Sequence, residues 1–175
     1  HGVGREEQLV GDLAHGLALI DRGVPVLGVI DAPALGVTYY AGDGLGSWRR
    51  SADGRVHRIG SRPPLPGHRV RVAESRSHPS PTLEQYLTTI PVAGRVAVGS
   101  SLKFCLVAEG AADVYPRFGP TMEWDVAAGD CIFRNSGISR PRTSPLRYNK
   151  PDLRNGDFVI GQLDSELELG PRPVR

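Results

Sequence analysis

Two different periodicities share this chain, and no single repeating layer accommodates both. Between residues 15 and 50, apolar runs alternate with short turns. "LALID" and "VPVLGVIDAP" flank Asp21-Arg22-Gly23, while "VTYYA" and "LGSWRR" flank a turn at Asp43-Gly44. Apolar runs broken by Asp/Gly turns are the pattern of an antiparallel meander. Tyr39, Tyr40 and Trp48 add strand preference. From residue 69 the pattern changes. "RVRVA" and "RVAVG" alternate like strands, but each leads into a segment of helical spacing. Leu83, Tyr86, Leu87 and Ile90 mark the first of these, and "SSLKFCLVAEG" is the second. "ADVYPRF" reads as a strand. "TMEWDVAAGDCIFR" reads as a helix with Trp124, Ala127, Ala128, Cys131 and Ile132 along one side, and "DFVIGQL" as a last strand. Strands alternating with helices imply an α/β arrangement. The expected organisation is an antiparallel-sheet part at 1–50, a Gly/Pro/Arg-rich linker at 51–68, an α/β part at 69–163 and a loose tail at 164–175.

Composition narrows the function classes. The 22 glycines and 15 prolines favour turns over long helices. Aromatic residues make up 6%, so the core must rest on Val, Leu, Ile and Ala. Lys plus Arg number 21 and Asp plus Glu 19, a net charge of +2 that leaves no nucleic-acid footprint and no polybasic membrane patch. No apolar run reaches the ~18 residues of a membrane span. Cys105 and Cys131 sit inside apolar patterns at a spacing that fits no zinc motif, so both are expected to be buried free thiols in a reducing, cytoplasmic setting. The chain opens on His1, carries no signal-peptide pattern, and reads as a fragment or a processed product.

Chemistry concentrates at two corners where a strand leads into a helix: "ESRSH", Glu74 to His78, and "GSSLK", Gly99 to Lys103. In α/β sheets ligands bind outside the carboxyl ends of strands. Helix N-termini there offer free N–H groups, and hydroxyls with a Lys or Arg complete an anion cradle. The plainer reading of such serines is helix capping, and Ser80 before Pro81 has that pattern outright. Asp125 opens a helix of small residues. It either complements the helix dipole or ligates a hard cation such as Mg²⁺. Ala127, Ala128 and Gly129 let that helix approach another backbone or a ligand closely. Arg117 reads as a substrate contact or as a surface arginine. His1, His15, His57, His68 and His78 form no ligand set, and only His78 falls in a candidate corner.

The run "GSSLKFCLVAEGAADVYPRFGPTMEWDVAAGD" resembles the inositol monophosphatase superfamily, and within it the CysQ-type 3′(2′),5′-bisphosphate nucleotidases. The Trp-Asp-x-Ala-Ala-Gly signature stands at Trp124 to Gly129. "SRSH", "PLRYNKPDLRNGDFV" and "VPVLGVIDAPALGVTYYA" extend the resemblance over roughly residues 15–160. The resemblance implies a layered α/β/α/β/α sandwich with its site between two sheets. It implies a Mg²⁺-dependent phosphatase that removes the 3′-phosphate of 3′-phosphoadenosine 5′-phosphate, a by-product of sulfate assimilation, to give AMP. By that match Asp125 is a metal ligand. Ser100 and Lys103 bind nucleotide phosphate or ribose, His78 and Arg117 flank the nucleotide, and Ser75, Ser77 and Ser101 are further candidates.

The sequence departs from the family at its start. The family's Asp-Pro-(Ile/Leu)-Asp-Gly-Thr motif, and a metal-binding Glu before it, find no counterpart in "HGVGREEQLVGD". The sandwich is therefore expected without its N-terminal part, with residues 1–50 a remnant of the antiparallel-sheet domain. The metal site is expected to be incomplete, with catalytic residues unassigned, poor metal binding and little hydrolysis by this chain. A sheet face left bare by a missing layer predicts association into homo-oligomers. The partner expected is a small phosphate ester, with neither nucleic acid nor a membrane span. Two alternatives remain: an inositol monophosphatase or fructose-1,6-bisphosphatase-like sugar phosphatase, and a nucleotide-binding homologue without turnover.

Overall fold

The computed structural model describes residues 14–61, 64–65, 67–76, 80–99, 101–137 and 144–161. Its first sheet is antiparallel, with β1 (His15–Asp21), β2 (Val24–Ala32), β3 (Val37–Gly42), β4 (Gly46–Arg50) and β5 (Val56–Ile59) adjacent in chain order. Arg22 and Gly23 connect β1 to β2 at φ 46° and 76°. Positive φ at both central residues makes a hairpin turn whose twist matches that of the strands. β5 carries the sheet into the segment 51–68. Register decides which side chains share a face. Leu17 lies opposite Val29, Leu19 opposite Leu27, and Val29 opposite Tyr40. That face is largely uncovered, with Leu17 68% and Leu19 60% exposed. The other face carries Ile30, Tyr39 and Ala41, all buried.

The second sheet has the order β11 (Phe158–Gly161), β8 (Val114–Arg117), β6 (Val70–Glu74), β7 (Val92–Ala97). β6 runs parallel to β7 and β8, and β11 is antiparallel to β8. Helices fill the crossovers: α1 (Pro81–Leu87) between β6 and β7, and α2 (Leu102–Glu109) between β7 and β8. Ser80 caps α1, its hydroxyl accepting from Leu83 N at 3.3 Å, with Pro81 in the first turn. α2 stops at Gly110, whose φ of 80° is the left-handed cap conformation.

A third helix, α3 (Glu123–Arg134), joins the two halves. It lies across the buried face of the first sheet and beside α2. Ile30, Ala32, Tyr39, Leu102, Cys105, Ala128, Cys131 and Ile132 share one core cluster. The small residues of α3 make this approach possible. A Cβ added at Gly28 of β2 would lie 2.7 Å from the Ala128 carbonyl oxygen, and one added at Gly129 would lie 2.7 Å from the Phe104 ring of α2. Of the two roles open to Ala128 and Gly129, the structure therefore supplies close backbone packing. Trp124 departs from the expected buried side: it is 63% exposed, lying in the first turn of α3 beside Gly16, Leu17 and Ala18 of the edge strand β1. Thr121 and Met122, expected to begin the helix, instead form β9 and pair with β10 (Arg154–Asn155). Cys105 and Cys131 are free and buried. Among the described residues no helix is long and apolar enough to cross a membrane.

Candidate active site

The first turns of α2 and α3 meet at one cleft of about 380 Å³. α2 contributes Ser101, Lys103 and Phe104; α3 contributes Trp124, Asp125 and Val126. Thr121 lies just before α3. Ser75 follows the carboxyl end of β6, and Tyr115 and Arg117 come from β8. Ala14 and Gly16 close the wall on the side of the first sheet. The cleft thus lies outside the carboxyl ends of parallel strands, where open α/β sheets place their ligands.

Each polar group in the cleft has a physical reason to be noted. Lys103 is 5% exposed, although it stands in the first turn of a helix. A cation at that end opposes the helix dipole and costs stability. Nζ is held by the Val98 carbonyl at 3.2 Å and lies 5.4 Å from the centre of the Tyr115 ring. Ser101 is buried at the start of α2, but its hydroxyl makes no cap bond, unlike that of Ser80. Arg117 donates from Nη2 to the Pro120 carbonyl at 3.5 Å, while its buried Nε has no hydrogen-bond partner. A buried donor left unpaired is costly, and the guanidinium of Arg117 can offer charge-assisted bonds to an anionic oxygen. Burial pushes the Tyr115 phenol up to about 12, with Arg117 drawing it down and Asp125 adding to the rise. Tyr115 therefore registers both a cation and an anion at the same wall.

Asp125 accepts from Met122 N through Oδ2 at 2.9 Å, the local bond of an acid in the third helical position. Its side chain is otherwise exposed to the cleft, and among the described residues its other oxygen takes no hydrogen bond. A hard cation takes oxygen ligands and keeps water or substrate phosphate in its shell. The Asp125 carboxylate fits one position of such a shell. Among the described residues no three His, Cys, Asp or Glu side chains converge to complete it. Of the residues singled out from sequence, the fold brings Asp125, Lys103, Arg117, Ser75 and Ser101 to one cleft. Ser77, His78 and Ser100 lie outside the described residues. Sequence reasoning missed Thr121, Tyr115 and Phe104. The only available signal was that each lies within four residues of a candidate.

The sequence model of the inositol monophosphatase family matches residues 12–168. The chain belongs to that family. Its relatives include the 3′(2′),5′-bisphosphate nucleotidase CysQ of Salmonella typhimurium, 47% identical over 124 residues, which cover 70% of this chain and 48% of that protein. CysQ of Escherichia coli K12 is 43% identical over 142 residues, covering 79% of this chain and 55% of that one. Among solved structures, CysQ from Bacteroides thetaiotaomicron superimposes with a TM-score of 0.72 at 36% identity, over 86% of this chain and 63% of its own. Staphylococcal IMPase-II matches with a TM-score of 0.66 at 18% identity, a likeness of fold alone. The inositol-monophosphatase-like α/β fold follows, with helices packed on two sheets. The chain spans about half the length of the curated relatives it matches.

Proposed function

We propose that this chain forms the nucleotide-facing part of a Mg²⁺-dependent 3′(2′),5′-bisphosphate nucleotidase. The reaction is removal of the 3′-phosphate of 3′-phosphoadenosine 5′-phosphate to give AMP, in the recycling of a sulfate-assimilation by-product. One observation carries the reading: Lys103 and Arg117, the latter with an unsatisfied buried Nε, share a cleft with the carboxylate of Asp125. Two cations facing one carboxylate suit a ligand with two phosphates, of which one is shared with a metal. Arg117 and Lys103 would hold phosphate oxygens by charge-assisted hydrogen bonds. Ser101 and Ser75 would orient the ester or ribose oxygens, with His78, Ser77 and Ser100 alongside. The exposed Trp124 offers a flat apolar wall at the rim. Asp125 would hold one metal position through a carboxylate oxygen. When bound, Mg²⁺ in such sites activates water and neutralises phosphate charge. The remaining ligands would come from outside the described residues, since no three His, Cys, Asp or Glu side chains converge among them. Two buried thiols suit a reducing compartment, the cytoplasm.

The test is a competition for the cleft in Mg²⁺. We expect 3′-phosphoadenosine 5′-phosphate to bind at least about tenfold more tightly than inositol monophosphate or fructose 1,6-bisphosphate, a difference of about 1.4 kcal/mol. Tighter binding of either sugar phosphate overturns the nucleotide assignment in favour of a sugar phosphatase.

A further inference from the structure

One partly buried ion pair ties the segment 147–155 to the start of α3. Glu123 is 7% exposed. Its Oε1 accepts from Lys150 Nζ at 2.6 Å and from Lys150 N at 3.0 Å, and its Oε2 accepts from Asn149 N at 2.8 Å. Lys150 Nζ donates further to the Arg147 carbonyl at 2.5 Å and to Asn155 Oδ1 at 3.0 Å. The segment so held is not in a relaxed conformation. Asn149 and Leu153 have φ of 63° and 53°, in the left-handed region that a leucine rarely enters. Such backbone persists only where its surroundings over-determine it, and such positions cluster at functional sites.

From this clasp a continuous set of contacts leads to the cleft. Glu123 N donates to the Leu153 carbonyl at 2.9 Å. Asn155 pairs with Thr121 in the β9–β10 ladder, and its Nδ2 donates to Thr121 Oγ1 at 3.3 Å. Met122, next along β9, donates its N–H to Asp125 Oδ2 at 2.9 Å. Thr121 and Asp125 both line the cleft. A ladder of two residue pairs has no stability of its own. Its placement must come from outside it, and the Lys150 ammonium is the group that binds both its flanks.

We propose that Lys150 is a positioning residue for this site: through Glu123 and Asn155 it fixes the β9–β10 ladder, and with it the placement of the Asp125 carboxylate and the Thr121 hydroxyl. The proposal rests on the reading of Asp125 as a ligand. It differs from a purely structural role in predicting local rather than global loosening.

The experiment compares the chain with its Lys150→Met, Lys150→Arg and Asn155→Ala variants by amide hydrogen exchange read by NMR. In Lys150→Met the Met122 and Glu123 amides should exchange at least about tenfold faster, while the Ile132 amide in the core of α3 stays within about twofold. Asn155→Ala, which leaves the ion pair intact, should loosen the same amides by less, and Lys150→Arg should restore part of the protection. Affinity for 3′-phosphoadenosine 5′-phosphate in Mg²⁺ should fall about tenfold in Lys150→Met and recover partly in Lys150→Arg. Equal acceleration at Met122 and Ile132, or none at Met122, overturns the proposal whatever the ligand does. Local loosening in a chain that does not bind the nucleotide would uphold the positioning role and sink the nucleotidase reading.

Discussion

Gly129→Ala tests whether the small residues of α3 serve packing. Left to propensity, the change should help: glycine in a helix interior costs about 1 kcal/mol relative to alanine. The structure argues for the opposite sign. The new methyl would stand 2.7 Å from Cγ and Cδ2 of Phe104 and 2.8 Å from its Cβ. Contacts this short require something to move. Phe104 is 1% exposed and sits edge-on to Tyr115 at 5.4 Å, with Phe158 at 6.1 Å, so two neighbouring rings confine it. α2 and α3 must then separate, and overpacking of this kind costs about 1–3 kcal/mol. After the propensity gain, a net loss of up to about 2 kcal/mol is expected. For a chain of this length that lowers Tm by up to about 8 °C. Phe104 also lines the cleft, so nucleotide affinity should fall with stability. Urea unfolding followed by circular dichroism gives the number directly. A Gly129→Ala protein about 1 kcal/mol more stable than the parent would refute the reasoning. It would show that α2 and α3 do not meet this closely, and would return the Ala-Ala-Gly run to the ligand.

Three further outcomes follow from the same geometry. Arg117→Met removes the unsatisfied donor and its charge, and should weaken 3′-phosphoadenosine 5′-phosphate binding by at least about tenfold in a calorimetric titration, with Tm unchanged or raised. Ser80→Ala should cost about 1 kcal/mol by loss of its cap bond, whereas Ser101→Ala should leave stability nearly unchanged and weaken nucleotide binding. Burial raises the Glu109 carboxyl above its ordinary value of 4.5, with Tyr39, Arg49 and His57 opposing the rise. A raised folded value favours the protonated form, so this contribution is full below about pH 4.5 and is lost as pH climbs through the folded value. Urea midpoints measured from pH 4 to 8 should therefore show Glu109→Gln gaining on the parent as pH rises, and a difference that is flat across that range would refute the assignment.

Much of the fold could be read from local pattern because its elements obey local rules. The β1–β2 hairpin follows from Arg22-Gly23, α1 from Ser80-Pro81, and the α/β half from the switch between periods of two and of helical spacing. What escaped was set by distant contacts. β9 and β10 contain two residues each and form only because residues 121–122 and 154–155 meet, with the whole of α3 between them in the chain. No window of sequence contains that pairing. Trp124 matched the apolar side of its helix, but it lies along the edge strand of the sheet and stays exposed. The site divides the same way. Asp125, Lys103 and Arg117 were visible as chemistry at element ends, and their convergence required the crossovers that bring β8, α2 and α3 together. The Glu123–Lys150 clasp was invisible, since an ion pair between residues 27 apart has no sequence pattern.

The central claim is that one cleft binds a bisphosphate nucleotide together with a divalent cation held in part by Asp125. Calorimetric titration of 3′-phosphoadenosine 5′-phosphate into the chain, in Mg²⁺ and then in chelator, tests it most directly when repeated on Asp125→Asn. Because the described residues alone offer the cation too few ligands, the nucleotide phosphate must share its shell. The expected result is saturable binding in Mg²⁺ that weakens at least about tenfold both with chelator and in Asp125→Asn, the two losses not adding because they remove the same interaction. Binding of equal strength in all four titrations would place the nucleotide elsewhere and contradict the account.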